Sequence, residues 1–131
     1  MFEAYLEAWN SHLASAVGEF MDDAVDFEDV TMGATFKSRN EVEAFVDEFT
    51  QTFSSDYRFT LITELATDSS VGAEWVVSGT HDGSSPALAA TGKPFSIRGA
   101  TIARIRDGKI VYNRDYWDMA GFLSQIGALP A

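Results

Sequence analysis

The spacing of apolar residues limits the folds open to this chain. Two helical segments with intervals of three or four, separated by a short strand, come before residue 53, and from residue 57 to 117 intervals of two dominate. Phe2, Tyr5, Leu6, Trp9, Leu13, Val17 and Phe20 form one stripe, which predicts helix over residues 2–21. Gly18 weakens that helix, and two helices joined near residues 14–17 fit the same pattern. Asp22-Asp23 ends the helical spacing. Residues 24–30 then read as a short strand with Val25, Phe27 and Asp29 on one face. A glycine-containing turn at 31–35 leads to a helix over 40–53. Ser38 is its N-cap, Glu41 completes a capping box, and Val42, Phe45, Val46, Phe49 and Phe53 form the apolar face.

The remainder is strand. Residues 57–66 alternate and end in the turn Thr67-Asp68-Ser69-Ser70, and residues 71–81 are rich in β-branched and aromatic side chains. Residues 82–88 read as a loop. Residues 95–105 and 110–117 flank Asp107-Gly108, a strong hairpin signal. A last short helix is expected over 119–126 with Asp118 as N-cap. Helices followed by a run of antiparallel strands imply an α+β domain, with helices packed on one side of a bent sheet. Its 131 residues suit one domain spanning the whole chain, with a core that needs no staples. A curved sheet closed by a helix is a cone, and a cone is a natural small-molecule pocket.

Composition removes several classes of function. There is no cysteine, so no disulfide framework or thiolate site is available. With only His12 and His81, a multi-histidine zinc site is not expected, and no metal or cofactor is implied. The net charge of −11 repels phosphate backbones and anionic lipid, which argues against nucleic-acid and membrane partners. The acidic, amphipathic start lacks the basic and apolar regions of a signal peptide, so a cytoplasmic location is expected. Lys37, Lys93 and Lys109 are the only lysines. Such a surface suits a high-salt cytoplasm and an ordinary acidic bacterial protein equally.

Particular segments carry a resemblance. YLEAWNSHLASAVGEFMDDAVDFED resembles the opening of ketosteroid isomerases, with a helical tyrosine, paired aspartates before a strand, and a strand ending Glu-Asp. WVVSGTHDG, ATGKPFSIRGA, RIRDGKIV and RDYWDMAGFLSQIGAL resemble SnoaL-like polyketide cyclases. Together these cover nearly the whole chain. They imply the cone-shaped α+β fold of the nuclear transport factor two-like superfamily. Members of that superfamily act as isomerases, cyclases, hydrolases, dehydratases and non-catalytic binders.

The resemblance also supplies site candidates. In the isomerases the residue matching Asp29 is the base beside a carbonyl, and the residue matching Tyr5 donates to the oxyanion. A second acid is expected within residues 99–103, where this chain has no carboxylate. The run Asn113-Arg114-Asp115-Tyr116-Trp117-Asp118 also resembles the end of limonene-type epoxide hydrolases. The positions matching their Arg-x-Asp pair are Trp75 and Val77, so that triad is incomplete. In SnoaL-like cyclases an aspartate near this strand end is the general acid/base. Asp118 matches by spacing to the C-terminal motif, Asp115 by strand face. Alternation places Asn113, Asp115 and Trp117 on one face and Arg114, Tyr116 and Asp118 on the other, without saying which face points inward. Asp118 could equally be only a helix cap, and Asp115 could pair with Arg98 or Arg114. His81, before the loop, could assist proton transfer. Trp9, Trp75, Arg98, Asn113 and Trp117 are expected around the pocket.

Two functions follow. One is cofactor-independent proton transfer next to the carbonyl of a small hydrophobic molecule, with Asp115 or Asp118 as acid/base and Asp29, His81 or Tyr5 assisting. The other is a non-catalytic ligand-binding or dimerising domain of the same fold. The cyclase-like family pairs through its sheet, so a homodimer through strands 71–81, 95–105 and 110–117 is expected.

Overall fold

A computed structural model describes residues 1–129. The N-terminal stripe folds as two helices, α1 (Phe2–Asn10) and α2 (Ala14–Gly18). The break falls at 11–13, earlier than Gly18 suggests. His12 adopts φ 62° there, a left-handed conformation that ends a helix. Two side chains fasten this turn to the start of the third strand. The Asn10 amide donates to Phe59 O at 2.9 Å and accepts from Phe59 N at 2.6 Å, and His12 Nε2 meets Tyr57 O at 2.8 Å. Phe2, Tyr5, Leu6 and Trp9 are buried as the stripe predicts, but Leu13, beyond the break, is 60% exposed.

The chain continues as β1 (Met21–Asp29), β2 (Ala34–Phe36), α3 (Arg39–Thr52), β3 (Arg58–Ala66), β4 (Ser70–Thr80), β5 (Pro94–Arg106), β6 (Lys109–Trp117) and α4 (Met119–Gln125). Asp22 and Asp23 lie inside β1, in the stretch where its pairing with β6 slips register. The three-residue β2 replaces part of the expected turn. It is too short to show a periodicity of its own, and pairing with β1 defines it. Ser38 Oγ accepts from Glu41 N at 3.1 Å, which closes the predicted cap of α3.

The six strands lie in the order β2-β1-β6-β5-β4-β3. All neighbours are antiparallel except β1 and β6, which run parallel and set Asp29 level with Asp115. The β5–β6 hairpin turns through Asp107 and Gly108 at φ 52° and 74°, the pair of positive φ values a tight hairpin of this hand requires. Inward residues of β4 (Val71, Ala73, Trp75, Val77) and β5 (Phe95, Ile97, Thr101, Ala103) are buried, and the apolar ones share one core with residues of α1 and α3. A register shift at Arg104/Ile105 lets β6 bury both Ile110 and Asn113, three residues apart. From Asn113 onward the inward set is Asn113, Asp115 and Trp117, which decides the face the alternation left open. The sheet does not close on itself: β2 and β3 are free edges.

Candidate active site

Between the inward face of the sheet and helices α1 and α3 lies a chamber of about 50 Å³. Tyr5 and Trp9 reach it from α1, Phe45 and Phe49 from α3, Trp75 from β4, Thr101 from β5, and Asp115 and Trp117 from β6. Asp29 enters from β1. Two carboxylates and one phenol therefore share a chamber whose wall is otherwise mostly aromatic.

Among the described residues, Asp115 is held at one oxygen. Its Oδ1 accepts from Thr101 Oγ1 at 2.7 Å and from Asn113 Nδ2 at 3.0 Å. The direction of the Thr101 bond is fixed from behind. The indole Nε1–H of Trp75 can only donate, and it donates to Thr101 Oγ1 at 2.9 Å, so the threonine proton points to Asp115. Gly99 lies opposite Trp75 in the β4–β5 pairing, and a Cβ there would stand 2.2 Å from the indole ring. Glycine at 99 is therefore what lets the indole lie across β5. Among the described residues no arginine pairs with Asp115. Arg114 is engaged by Asp26 at 3.2 Å and Glu28 at 3.3 Å, and Arg98 sits exposed on the outer face opposite Val76.

Burial pushes the Asp115 carboxyl up to about 7, against the two hydrogen bonds that favour its charge, and the neighbouring Asp29 charge adds to the rise. Asp29 is 5% exposed and is also raised, chiefly by burial. Its oxygens are occupied: Oδ1 accepts from Met32 N at 3.0 Å, and Trp117 Nε1 reaches both oxygens at 3.1 and 3.0 Å. Burial raises the Tyr5 phenol too, and the Asp115 charge adds to it, so Tyr5 keeps its proton. That proton finds no acceptor among the described residues, and the phenol lines the chamber. Asn113 is fully buried, and its Oδ1 is the sealed side-chain polar atom without a partner among the described residues.

The other candidates fall elsewhere. Asp118 is exposed, and its Oδ1 caps α4 by accepting from Gly121 N at 2.8 Å. It follows Trp117, the last residue of β6, at the junction of strand and helix. Arg98, on the outer face opposite Val76, lines neither the inner chamber nor an outer one. His81 is 1% exposed but borders a second, outer chamber of about 660 Å³ rather than the one holding Asp115. Trp9, Trp75 and Trp117 line the inner chamber, and Asn113 touches it only through Asp115. Thr101 went unnoticed in the sequence. Its signal was available, as a lone hydroxyl at an inward position of β5 opposite Asp115 in the hairpin.

The SnoaL-like polyketide cyclase family model matches residues 1–126. The chain belongs to this family. Among solved structures it is similar to a candidate polyketide cyclase from Xanthomonas campestris, at 27% identity over 95% of this chain and 93% of that one, with a TM-score of 0.81. IdmH of Streptomyces antibioticus, also described as a candidate polyketide cyclase, is 25% identical over 96% of this chain and 95% of its own, at TM-score 0.81. A protein with a ketosteroid isomerase-like fold from Catenulispora acidiphila, solved with trimethylamine, shares the fold at TM-score 0.85 and 24% identity, over 98% and 92% of the two chains. No curated protein matches in sequence. The fold is thus the α+β architecture of this SnoaL and ketosteroid isomerase group, with helices packed against one face of the sheet. Among the described residues no helix is long and apolar enough to cross a membrane.

Proposed function

We propose that this SnoaL-like protein is an enzyme that moves a proton at a carbon next to a carbonyl, as in a cyclisation or isomerisation, within the inner chamber. The observation that carries this reading is the placing of Asp115, whose carboxyl faces an aromatic chamber with Oδ2 unpaired among the described residues; burial there pushes it up to about 7. With Oδ1 held by two donors, Oδ2 is the atom that takes and returns the proton. A group titrating near neutrality holds both forms in useful amounts, as general acid/base catalysis requires. Tyr5 donates its O–H to the oxygen of the developing enolate, a charge that an apolar chamber would otherwise penalise. Asp29, whose oxygens are occupied, serves as a fixed charge that keeps Asp115 high and holds the Trp117 wall. This chemistry needs only the carboxyl and the phenol.

The test is proton exchange. Aryl methyl ketones and 1,3-dicarbonyl compounds are incubated in D₂O with the protein, and loss of the α-proton signal is followed by NMR. Wild type should exchange at least one of them faster than buffer, and Asp115→Asn should abolish that excess. If no panel member exchanges above buffer, non-catalytic ligand binding gains, a reading favoured by the lack of a second acid within residues 99–103.

We further propose that the protein acts as a homodimer in the cytoplasm, pairing through the outer sheet face. There Ile102 and Tyr116 are 52% and 44% exposed. Light scattering at micromolar concentration should give twice the chain mass, and a monomer refutes this.

A further inference from the structure

Asn113 is a polar residue in an apolar slot. Its cross-strand neighbours are Phe27 of β1 and Ala103 of β5, and Ile110 precedes it among the inward residues of β6. All four are 0% exposed. Asn113 lines neither chamber, so it does not touch a molecule held in one. Its Oδ1 is sealed and meets no donor among the described residues. A buried carbonyl without a partner is destabilising. Leucine, with the same number of side-chain heavy atoms, would fill the slot without that penalty. Packing alone therefore does not account for an amide here.

The amide makes one bond in exchange. Nδ2 donates to Asp115 Oδ1 at 3.0 Å, beside Thr101 Oγ1 at 2.7 Å. The carboxylate settles which way the amide faces. Turned over, it would set two acceptor oxygens against each other whenever Asp115 is ionised. A carboxylate oxygen has two lone pairs in its plane, and two donors fill them. With Thr101 alone, Oδ1 would keep a lone pair and could take the proton itself. With Asn113 added, the proton is left to Oδ2. The same bond favours the ionised form, against the burial that raises the carboxyl. Of the other side chains lining the chamber, Asp29 of β1 and Tyr5 of α1 titrate; Phe45 and Phe49 of α3, Trp75 of β4 and Thr101 of β5 do not.

We infer that Asn113 is a positioning residue for Asp115, held in the core at a loss of stability because its amide confines the transferable proton to Oδ2. The use of that proton in turnover rests on the proposed chemistry; the pairing of amide and carboxyl does not. Asn113 acts only through Asp115 and is not itself a catalytic residue.

The first test needs no substrate. In protein labelled with ¹³C at the aspartate carboxyls, the Asp115 signal is assigned by its absence from Asp115→Asn and titrated by NMR, in wild type and in Asn113→Leu. Loss of a hydrogen bond to a charged group should raise the midpoint by about one to two pH units. At pH 5 Asp115 is protonated in both proteins, and Asn113→Leu should melt no lower than wild type, because it lacks the unpaired carbonyl. Above pH 7 it should lose ground. Its carboxyl keeps the proton to a higher pH, so its stability goes on falling after that of wild type has levelled off. A second measurement leaves residue 113 intact. The chain has three asparagines, Asn10, Asn40 and Asn113. With ¹⁵N-asparagine, the Asn113 side-chain amide should shift at the Asp115 midpoint and stop doing so in Asp115→Asn. An unmoved carboxyl midpoint in Asn113→Leu, or an equal loss of melting temperature at pH 5 and pH 8, overturns the inference. Should the leucine variant not fold, an Asn113 amide that ignores the Asp115 titration overturns it. Ketone exchange separates this from the proposed chemistry. If both hold, kcat at pH 7 should fall about 5- to 50-fold in Asn113→Leu, through the smaller ionised fraction, with KM unchanged. A moved midpoint with no exchange in wild type would fail the chemistry and leave the role of Asn113 standing. Equal exchange in both proteins with an unmoved midpoint would do the opposite.

Discussion

Replacing Asp115 by asparagine should make the protein more stable above neutral pH while removing its activity. The reason is linkage. The carboxyl sits at about 7 in the folded chain against an ordinary 3.8. Between those two values the folded state binds more protons than the unfolded chain, so stability falls as pH rises through the interval. At about 1.4 kcal/mol per pH unit, the ionised wild type carries a burial penalty on the order of 4 kcal/mol above pH 7. Asparagine does not titrate. Its Oδ1 can accept from Thr101 and Asn113 as the carboxylate does, and its amide faces the chamber.

The difference between the two proteins should therefore change with pH. From pH 5 to about pH 7 the variant's advantage should grow by about 2–3 kcal/mol and then level off. For a chain of this length that is roughly 6–15 °C in Tm. Melting curves of both proteins across that range, with proton exchange on the same samples, give the full comparison. Activity per folded molecule should drop about 10²- to 10⁴-fold. A variant that is destabilised by the same amount at every pH would mean an ordinary carboxylate at 115. Retained activity would remove it from the chemistry.

Other variants report on the groups around it. Thr101→Val keeps the shape but removes a donor to the charged form, so the midpoint of the pH–activity curve should move upward. It should also cost about 1–3 kcal/mol in a denaturant titration, because Trp75 Nε1 loses its buried acceptor. Asp29→Asn removes the charge that holds Asp115 up, so the same midpoint should move down. Asp118→Ala should cost about 1 kcal/mol of stability through the lost cap and leave activity per folded molecule unchanged.

The elements were legible wherever one local rule decided them. Ser38 and Glu41 announced the start of α3, and Asp107-Gly108 announced the β5–β6 turn, because caps and tight hairpins are fixed by a few adjacent residues. The two-residue spacing located β4 and β5 within a residue or so. What escaped was decided at long range. The early end of α1 depends on Asn10 and His12 meeting the backbone of residues 57–59, and β2 exists only through its pairing with β1. The parallel placement of β1 beside β6 is equally remote in sequence, and it is what sets Asp29 level with Asp115.

The choice between Asp115 and Asp118 shows why the site was less legible than the fold. Both are three residues apart at the end of one strand, and either matches the family by one criterion. Their surroundings differ because an even step along a strand keeps a side chain on the same face, whereas Asp118 lies just past the last strand residue and caps α4. Asn113, buried with Ala103 opposite it, fixes the inward face; Asp115 is two residues on and Asp118 five. The inward carboxyl then meets Thr101, whose hydroxyl is turned by Trp75, whose ring fits only over Gly99. Gly99→Ala is thus the distant change that should reach the chemistry. Its Cβ displaces the indole, an overpacking that costs about 1–3 kcal/mol. Thr101 is then free to turn its proton away from Asp115. The pH–activity midpoint should rise as it does in Thr101→Val, although residue 99 touches neither the carboxyl nor its partners. An unmoved midpoint would mean that Thr101 donates to Asp115 without the indole behind it.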